Sequence, residues 1–264
     1  MSQKVIVDTM IKKSVIYRGN FIANTVFSLF PLAVQFFLWK AIFVSSSNGE
    51  ISGFTFNTVI LYFIMVLIFN EATNPRQIAR SVSDDILSGQ LNNHLLKPVS
   101  YFRMKFIEHF ANRLTSLSVL LPVIAVAVVI IYNVNFSLLN ITFFTIFLAI
   151  TFIFNFFIYM ILAITVFWSE ESSNLMDLWR QVGGVLSGAY FPLSLLPFAV
   201  SKYVLLLPFK YTTYYPIAII LNGKATFNEM LMATLVYSIW TIVLYSLVKI
   251  IWNKGILKYS AYGM

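Results

Sequence analysis

The chain has 264 residues, of which 59% are hydrophobic and only 11% charged, and its mean hydropathy is +0.82. A soluble domain carries about 25% charged residues, so this composition excludes a soluble enzyme, a disordered protein and a nucleic-acid binder. The net charge of +8 then reads as Lys and Arg gathered beside anionic headgroups at the inner face of a membrane.

In chain order, the first twenty residues form no signal peptide, because Asp8, Lys12 and Lys13 interrupt any apolar core. Ile6, Met10 and Tyr17 share one helical face, so residues 1–20 are expected to lie as an amphipathic helix in the inner interface. A crossing helix needs about 20 mostly apolar residues. Phe21–Val44, Ile51–Ala72, Leu114–Tyr132, Leu138–Phe167 and Met230–Trp252 meet that length, with Pro122 as a kink in the third.

Residues 178–227 read differently. Val182–Val200 is apolar enough to cross, yet Gly183, Gly184, Gly188, Pro192 and Pro197 interrupt it. Pro208 and Pro216 break the runs that follow, and irregular backbone at membrane depth must be satisfied by protein or a wet cavity. The expectation is an all-α integral membrane protein with six spans. Short re-entrant helices lie between spans five and six, within 192–227.

Charge sets the orientation. Of the 18 Lys and Arg residues, only Lys40, Lys202, Lys210 and Lys224 fall outside when the N-terminus is inside. Both termini are therefore expected in the cytoplasm. The chain has no cysteine, which excludes disulfides and thiolate metal sites and makes thiol labelling clean. Ser47→Cys or Lys202→Cys is expected to react from outside, and Ser83→Cys is not.

The chemistry of a catalytic centre is missing from the sequence. No GxxxxGK[ST] loop occurs, and His94 and His109 form no HExxH motif. Glu170, Glu171 and Asp177 read as a solvated inter-helix turn with a cap, in preference to a proton or cation site. Lys40 snorkels to the outer headgroups. Asn57 and Asn155, polar residues inside spans, are expected to bond between helices or to line a pathway.

The cytoplasmic segment 73–113 carries the most information. Val82, Ile86 and Leu87 form an apolar stripe while Asp84 and Asp85 project elsewhere, and Gly89 terminates the helix. Leu91, Leu95 and Leu96 resume an apolar face until Pro98 stops it. A short amphipathic helix bearing exposed acids suits docking to a cytoplasmic partner.

The run LSGQLNNHLLKPVSYF resembles the signature of ABC-2-type permeases, in particular the subgroup of daunorubicin-type exporters. Val99 separates Pro98 from the hydroxyl of Ser100, a small departure from that pattern. GAYFPLSLLPFAVSKYVLLLPFKYTTYYP resembles the Pro-rich stretch after span five of the same family, including Pro197-Phe198 and Pro208-Phe209.

The resemblance implies one transmembrane domain over residues 1–264, in the cytoplasmic membrane of a bacterium. It implies pairing with a second ABC-2 permease, identical or related, and with two P-loop ATPase subunits that bind ATP and Mg. The chain itself then needs no cofactor and is not an enzyme. It also implies that Ser81, Asp84, Asp85, Ile86, Gly89, Leu91, Leu95, Leu96 and Pro98 belong to a segment coupling the permease to the ATPase. With few ionisable groups in the spans, the expected cargo is lipophilic or amphipathic. Alternatives are a lipid-linked cell-envelope polysaccharide, or an ATP-independent carrier or membrane enzyme.

Overall fold

The computed structural model describes residues 18–45, 50–51, 53–132, 137–169, 171–222 and 225–262. Ser47, Glu170 and all but the last three residues of the expected interfacial helix lie outside them. Helix α1 (Arg18–Val44) contains the first expected span and accommodates Pro31. A two-residue hairpin follows, β1 (Glu50–Ile51) against β2 (Phe54–Thr55), with Glu50 opposite Thr55. The second span therefore does not begin at Ile51. Thr55 caps α2 (Phe56–Thr73), its hydroxyl accepting from the Thr58 amide at 3.3 Å.

At Asn74 and Pro75 the helix breaks, and α3 (Arg76–Leu87) starts. The Asn74 carboxamide oxygen accepts the Arg76 amide at 3.0 Å, which fixes the turn between the two axes. A single turn, α4 (Leu91–Leu95), leads into α5 (Tyr101–Tyr132), which continues through Pro122 as one helix. Helix α6 (Leu138–Ile164) and its 3₁₀ extension to Phe167 match the fourth expected span. At the far end, α10 (Phe227–Tyr262) contains the last expected span. Thr226 and Glu229 form a capping box at its start, in which the Thr226 amide donates to Glu229 at 2.8 Å.

The interval between α6 and α10 departs from expectation. Helix α7 (Ser173–Ser187) has 15 residues and ends at Gly188, whose φ is +81°. At about 1.5 Å per residue it falls short of the roughly 30 Å hydrocarbon core. Val182–Val200 is thus no continuous crossing helix. Two 3₁₀ turns, Leu193–Leu195 and Pro208–Thr212, alternate with α8 (Phe198–Val204) and α9 (Tyr214–Asn222). The prolines explain this division, because each removes an amide donor from any longer helix.

Among the described residues, Phe56–Leu87, Leu138–Phe167 and Phe227–Tyr259 are long and apolar enough to cross a membrane, and Phe30–Val44 is a shorter apolar helix. The first of these stretches includes the break at Asn74 and Pro75. Two cores hold the helices. One joins Val82 and Ile86 of α3 to Phe156 and Met160 of α6 and Tyr237 of α10. The other packs Trp39 of α1 on Tyr62 and Phe69 of α2 and Ile217 of α9.

The structure changes which position reports topology. Ser83 is buried, with its hydroxyl oxygen 2.7 Å from that of Ser172, so a thiol there is shielded from either side. Leu96 is 86% exposed in the segment expected inside. A Leu96→Cys variant is expected to react with a permeant maleimide but not with an impermeant one on intact cells, while Lys202→Cys reacts with both. The opposite labelling pattern would invert the topology.

Candidate coupling surface and membrane-side cavity

Helix α3 is amphipathic in a way its sequence anticipates. Ile78, Ala79, Val82 and Ile86 are all buried, at spacings that return to one helical face. Ser83 lies on the same side and donates to the Ala163 carbonyl of α6 at 3.3 Å. Gly89, at φ +76°, takes the left-handed position just after the helix, so the expectation of a glycine terminator holds. Leu87 does not join the buried stripe. One position beyond Ile86 turns it about 100° away, and it is 54% exposed.

The two acids separate. Asp84 is exposed, as expected. Asp85 is buried, against the expectation that it projects to solvent. Its carboxylate accepts the Tyr101 hydroxyl at 2.7 Å and lies 2.8 Å from the Lys105 ammonium. Lys105 also donates to the Ser81 hydroxyl at 2.6 Å, and His94 Nε2 stands 3.9 Å from Asp85. Burial, reinforced by the Asp85 carboxylate, pushes the Tyr101 hydroxyl well above its ordinary range, so it stays a proton donor. Tyr101 stacks on Trp252 of α10 with ring planes 11° apart. A polar knot thereby ties α3 to α5 and braces both on α10.

Of the nine residues expected to couple, the fold divides the set. Ser81, Asp85, Ile86 and Leu91 face inward and hold the segment in place. Asp84, Gly89, Leu95, Leu96 and Pro98 face out. Together with Leu87, this outer set exposes apolar side chains and the Asp84 carboxylate.

A second feature lies between the helices. A cavity of about 400 Å³ is bounded by α1, α2, α6, α7 and the 3₁₀ turn at Pro208. Its wall mixes aromatic side chains (Phe63, Tyr159, Trp179, Tyr190 and Phe209) with polar and charged ones, among them Asn70, Asn155, Glu71 and Arg180. Gly184 makes room for Tyr190, because a Cβ there would stand 2.6 Å from the Tyr190 ring. Asn155 lines the cavity and donates to Thr73 at 3.1 Å, so it both bridges α6 to α2 and presents polarity. Asn57 does neither. It is exposed in the first turn of α2.

The expected solvated turn at Glu171 and Asp177 is only partly that. Glu171 is exposed and accepts from Ser173. Asp177 instead pairs with Arg76 across to α3 and stands near Arg80 and Arg180. Glu71 pairs with Arg113 at 3.6 Å, and His109 is buried against the Phe152 ring at 4.3 Å. Only Asp177 and Arg180, three apart on one helix, carried a local signal for these contacts. The remaining pairs bridge positions far apart in the chain, which periodicity does not address.

The family model described as "ABC-2 family transporter protein" matches residues 29–263, nearly the whole chain. This chain belongs to the ABC-2 transporter family. No curated protein matches it. An ABC-2 permease is a membrane subunit for transport and not an enzyme, and the family implies association with ATPase subunits in an ABC transporter. In this ABC-2 protein the segment after α2 is bonded on one face to α5 through Asp85, Tyr101 and Lys105, and its other face is exposed.

Proposed function

We propose that the chain is the transmembrane permease subunit of an ATP-driven exporter for a lipophilic or amphipathic compound, such as a drug-like molecule, a peptide or a lipid. It works in the cytoplasmic membrane of a bacterial cell with both termini inside, the fifth of six crossings being made in segments by α7 and the short helices after it. A second permease completes the pathway, and two P-loop ATPase subunits bind ATP and Mg and supply the energy. The motifs at residues 87–102 and 188–216 resemble those of daunorubicin-type exporters.

The observation that carries this reading is a set of exposed leucines next to a segment bonded into the helix bundle. Leu87, at the end of α3, and Leu96, in the turn after α4, offer apolar area to a partner. Helix α3 packs on α6, which gives a partner's push on Leu87 a path into the spans. Cargo chemistry follows from the cavity between the helices. Its wall combines apolar area with a few hydrogen-bonding groups, as an amphipathic ligand requires. Ser81, Asp85, Ile86 and Leu91 serve as positioning residues in this scheme, and Asp84, Leu95, Leu96 and Pro98 as contacts.

The test is reconstitution. The isolated chain is expected to hydrolyse no ATP, and hydrolysis is expected to appear with a co-purifying P-loop partner and to rise with hydrophobic compounds. Stimulation by Na⁺ and not by any hydrophobic compound would refute the cargo class. Hydrolysis by the pure chain would refute the subunit reading.

A further inference from the structure

A single carboxylate faces three guanidinium groups where α3 meets α7. Asp177 pairs with Arg76, while Arg80 and Arg180 stand 3.8 and 3.7 Å from its oxygens. One carboxylate cannot neutralise three cations. Asp84 is the next acid on the rim, and Arg113 is already matched by Glu71. Asp177 and Asp84 therefore offset two of the three arginines and leave one positive charge. Nε of Arg76 and of Arg113 is buried with no hydrogen-bond partner, which marks donors short of an acceptor. The first turn of α3, beginning at Arg76, adds the positive end of its dipole.

The cluster sits between two cavities. The aromatic cavity has Arg180 in its wall. The other, about 430 Å³, is lined by Arg76, Arg80, Arg113, Gln77 and Ser81, and Asn74 borders both. The first cavity offers aromatic rings, with Glu71 and Arg180 among its wall residues, and the second is lined by three arginines and Asp84. They adjoin at the level where the apolar run of α2 gives way to Asn74 and Arg76.

We propose that the Arg76–Arg80–Arg180 cluster binds the anionic headgroup of a membrane amphiphile whose apolar part lies in the aromatic cavity. The headgroup is a phosphate diester or a carboxylate, because the uncompensated charge is a single one and Asp84 repels a dianion. Guanidinium groups suit both, presenting paired donors to paired oxygens. A free inorganic anion would leave the aromatic wall unused, whereas an amphiphile occupies both halves. This inference rests on the chain lying in a bilayer as a permease.

The test is fluorescence quenching in nanodiscs that contain the full chain. Brominated phosphatidylglycerol in a phosphatidylcholine background is compared with brominated phosphatidylcholine in the same background, and the difference between the native chain and Trp179→Phe isolates the Trp179 signal. Brominated phosphatidylglycerol is expected to quench Trp179 at a lower mole fraction. Arg80→Gln alone, at a half-exposed position, is expected to reduce that preference about fivefold, and R80Q/R180Q more than tenfold. Lys202→Gln leaves it unchanged. Equal quenching by the two lipids, or a preference that survives R80Q/R180Q, overturns the proposal. Loss of the preference on adding millimolar inorganic phosphate assigns the site to a free anion and also overturns it. No ATPase is present, so a negative result leaves the permease reading intact, and failure to find an ATPase partner leaves the binding result standing.

Discussion

Replacing Asp85 with Ala is expected to lower the stability of the purified permease by about 3–5 kcal/mol, because it strands a buried cation. The Lys105 side chain is only 5% exposed and stays beside an apolar stripe when its carboxylate is removed. Tyr101 loses its acceptor in the same step. The double variant Asp85→Leu with Lys105→Met removes both charges and is expected to recover most of the loss, since an apolar pair of similar volume often replaces a buried ion pair at little cost. Tyr101→Phe, which deletes only one hydroxyl, is expected to cost about 1 kcal/mol. Denaturation in detergent, followed by near-ultraviolet dichroism, measures all four chains. If Asp85→Ala unfolds at the native midpoint, the knot between α3 and α5 does not hold the segment. The order matters as much as the size, because a purely exposed acid would give a null in every variant.

Placing a carboxylate on the outer face has a different expected outcome. Leu96→Asp together with Leu87→Asp should leave folding unchanged, since both side chains already meet solvent at 86% and 54%. Binding to the ATPase partner is expected to weaken by about 1–4 kcal/mol for each truncated anchor, which is roughly fivefold to nearly a thousandfold apiece. Pull-down of the partner and stimulated ATP hydrolysis report the loss. Ile86→Asp and Leu91→Asp serve as the contrasting pair. Both positions are buried, so these variants should fail in the membrane extract before any partner is added. A double aspartate variant that still assembles and hydrolyses ATP normally would make this surface an ordinary loop.

The contrast between Asp84 and Asp85 shows where sequence reasoning stops. The two neighbours have the same chemistry and differ by about 100° around a helix. A stripe of Val82 and Ile86 predicts which side of α3 is apolar, and that side is buried as expected. Whether an acid beside the stripe meets water or a lysine depends on α5, which arrives only after another turn of chain. Lys105 and Tyr101 sit 20 and 16 positions beyond Asp85, on a different helix. No local pattern connects them.

The same reasoning separates the spans from the cavity. Apolar runs of about 20 residues must be helical in lipid, because only a helix satisfies their backbone internally. Leu138–Phe167 was therefore legible from composition alone, and so were the apolar body of α2 and the end of α3 before Gly89. The interval from Val182 to Val200 was not, because its glycines and prolines state only that a long helix is disfavoured there. They do not say that α7 ends at Gly188 with the Tyr62 hydroxyl donating to the Gly188 carbonyl at 2.5 Å.

The sequence by itself determined that this chain lives in a membrane, where its long helices run and which family it resembles. These follow from hydrophobicity and periodicity, which act over neighbouring residues. Tertiary structure decided that Asp85 is a buried brace, that Leu87 and Leu96 stay exposed, and that Arg76, Arg80 and Arg180 gather around Asp177. Those outcomes rest on burial and charge pairing between distant segments. Such energies exist only once the helices have packed.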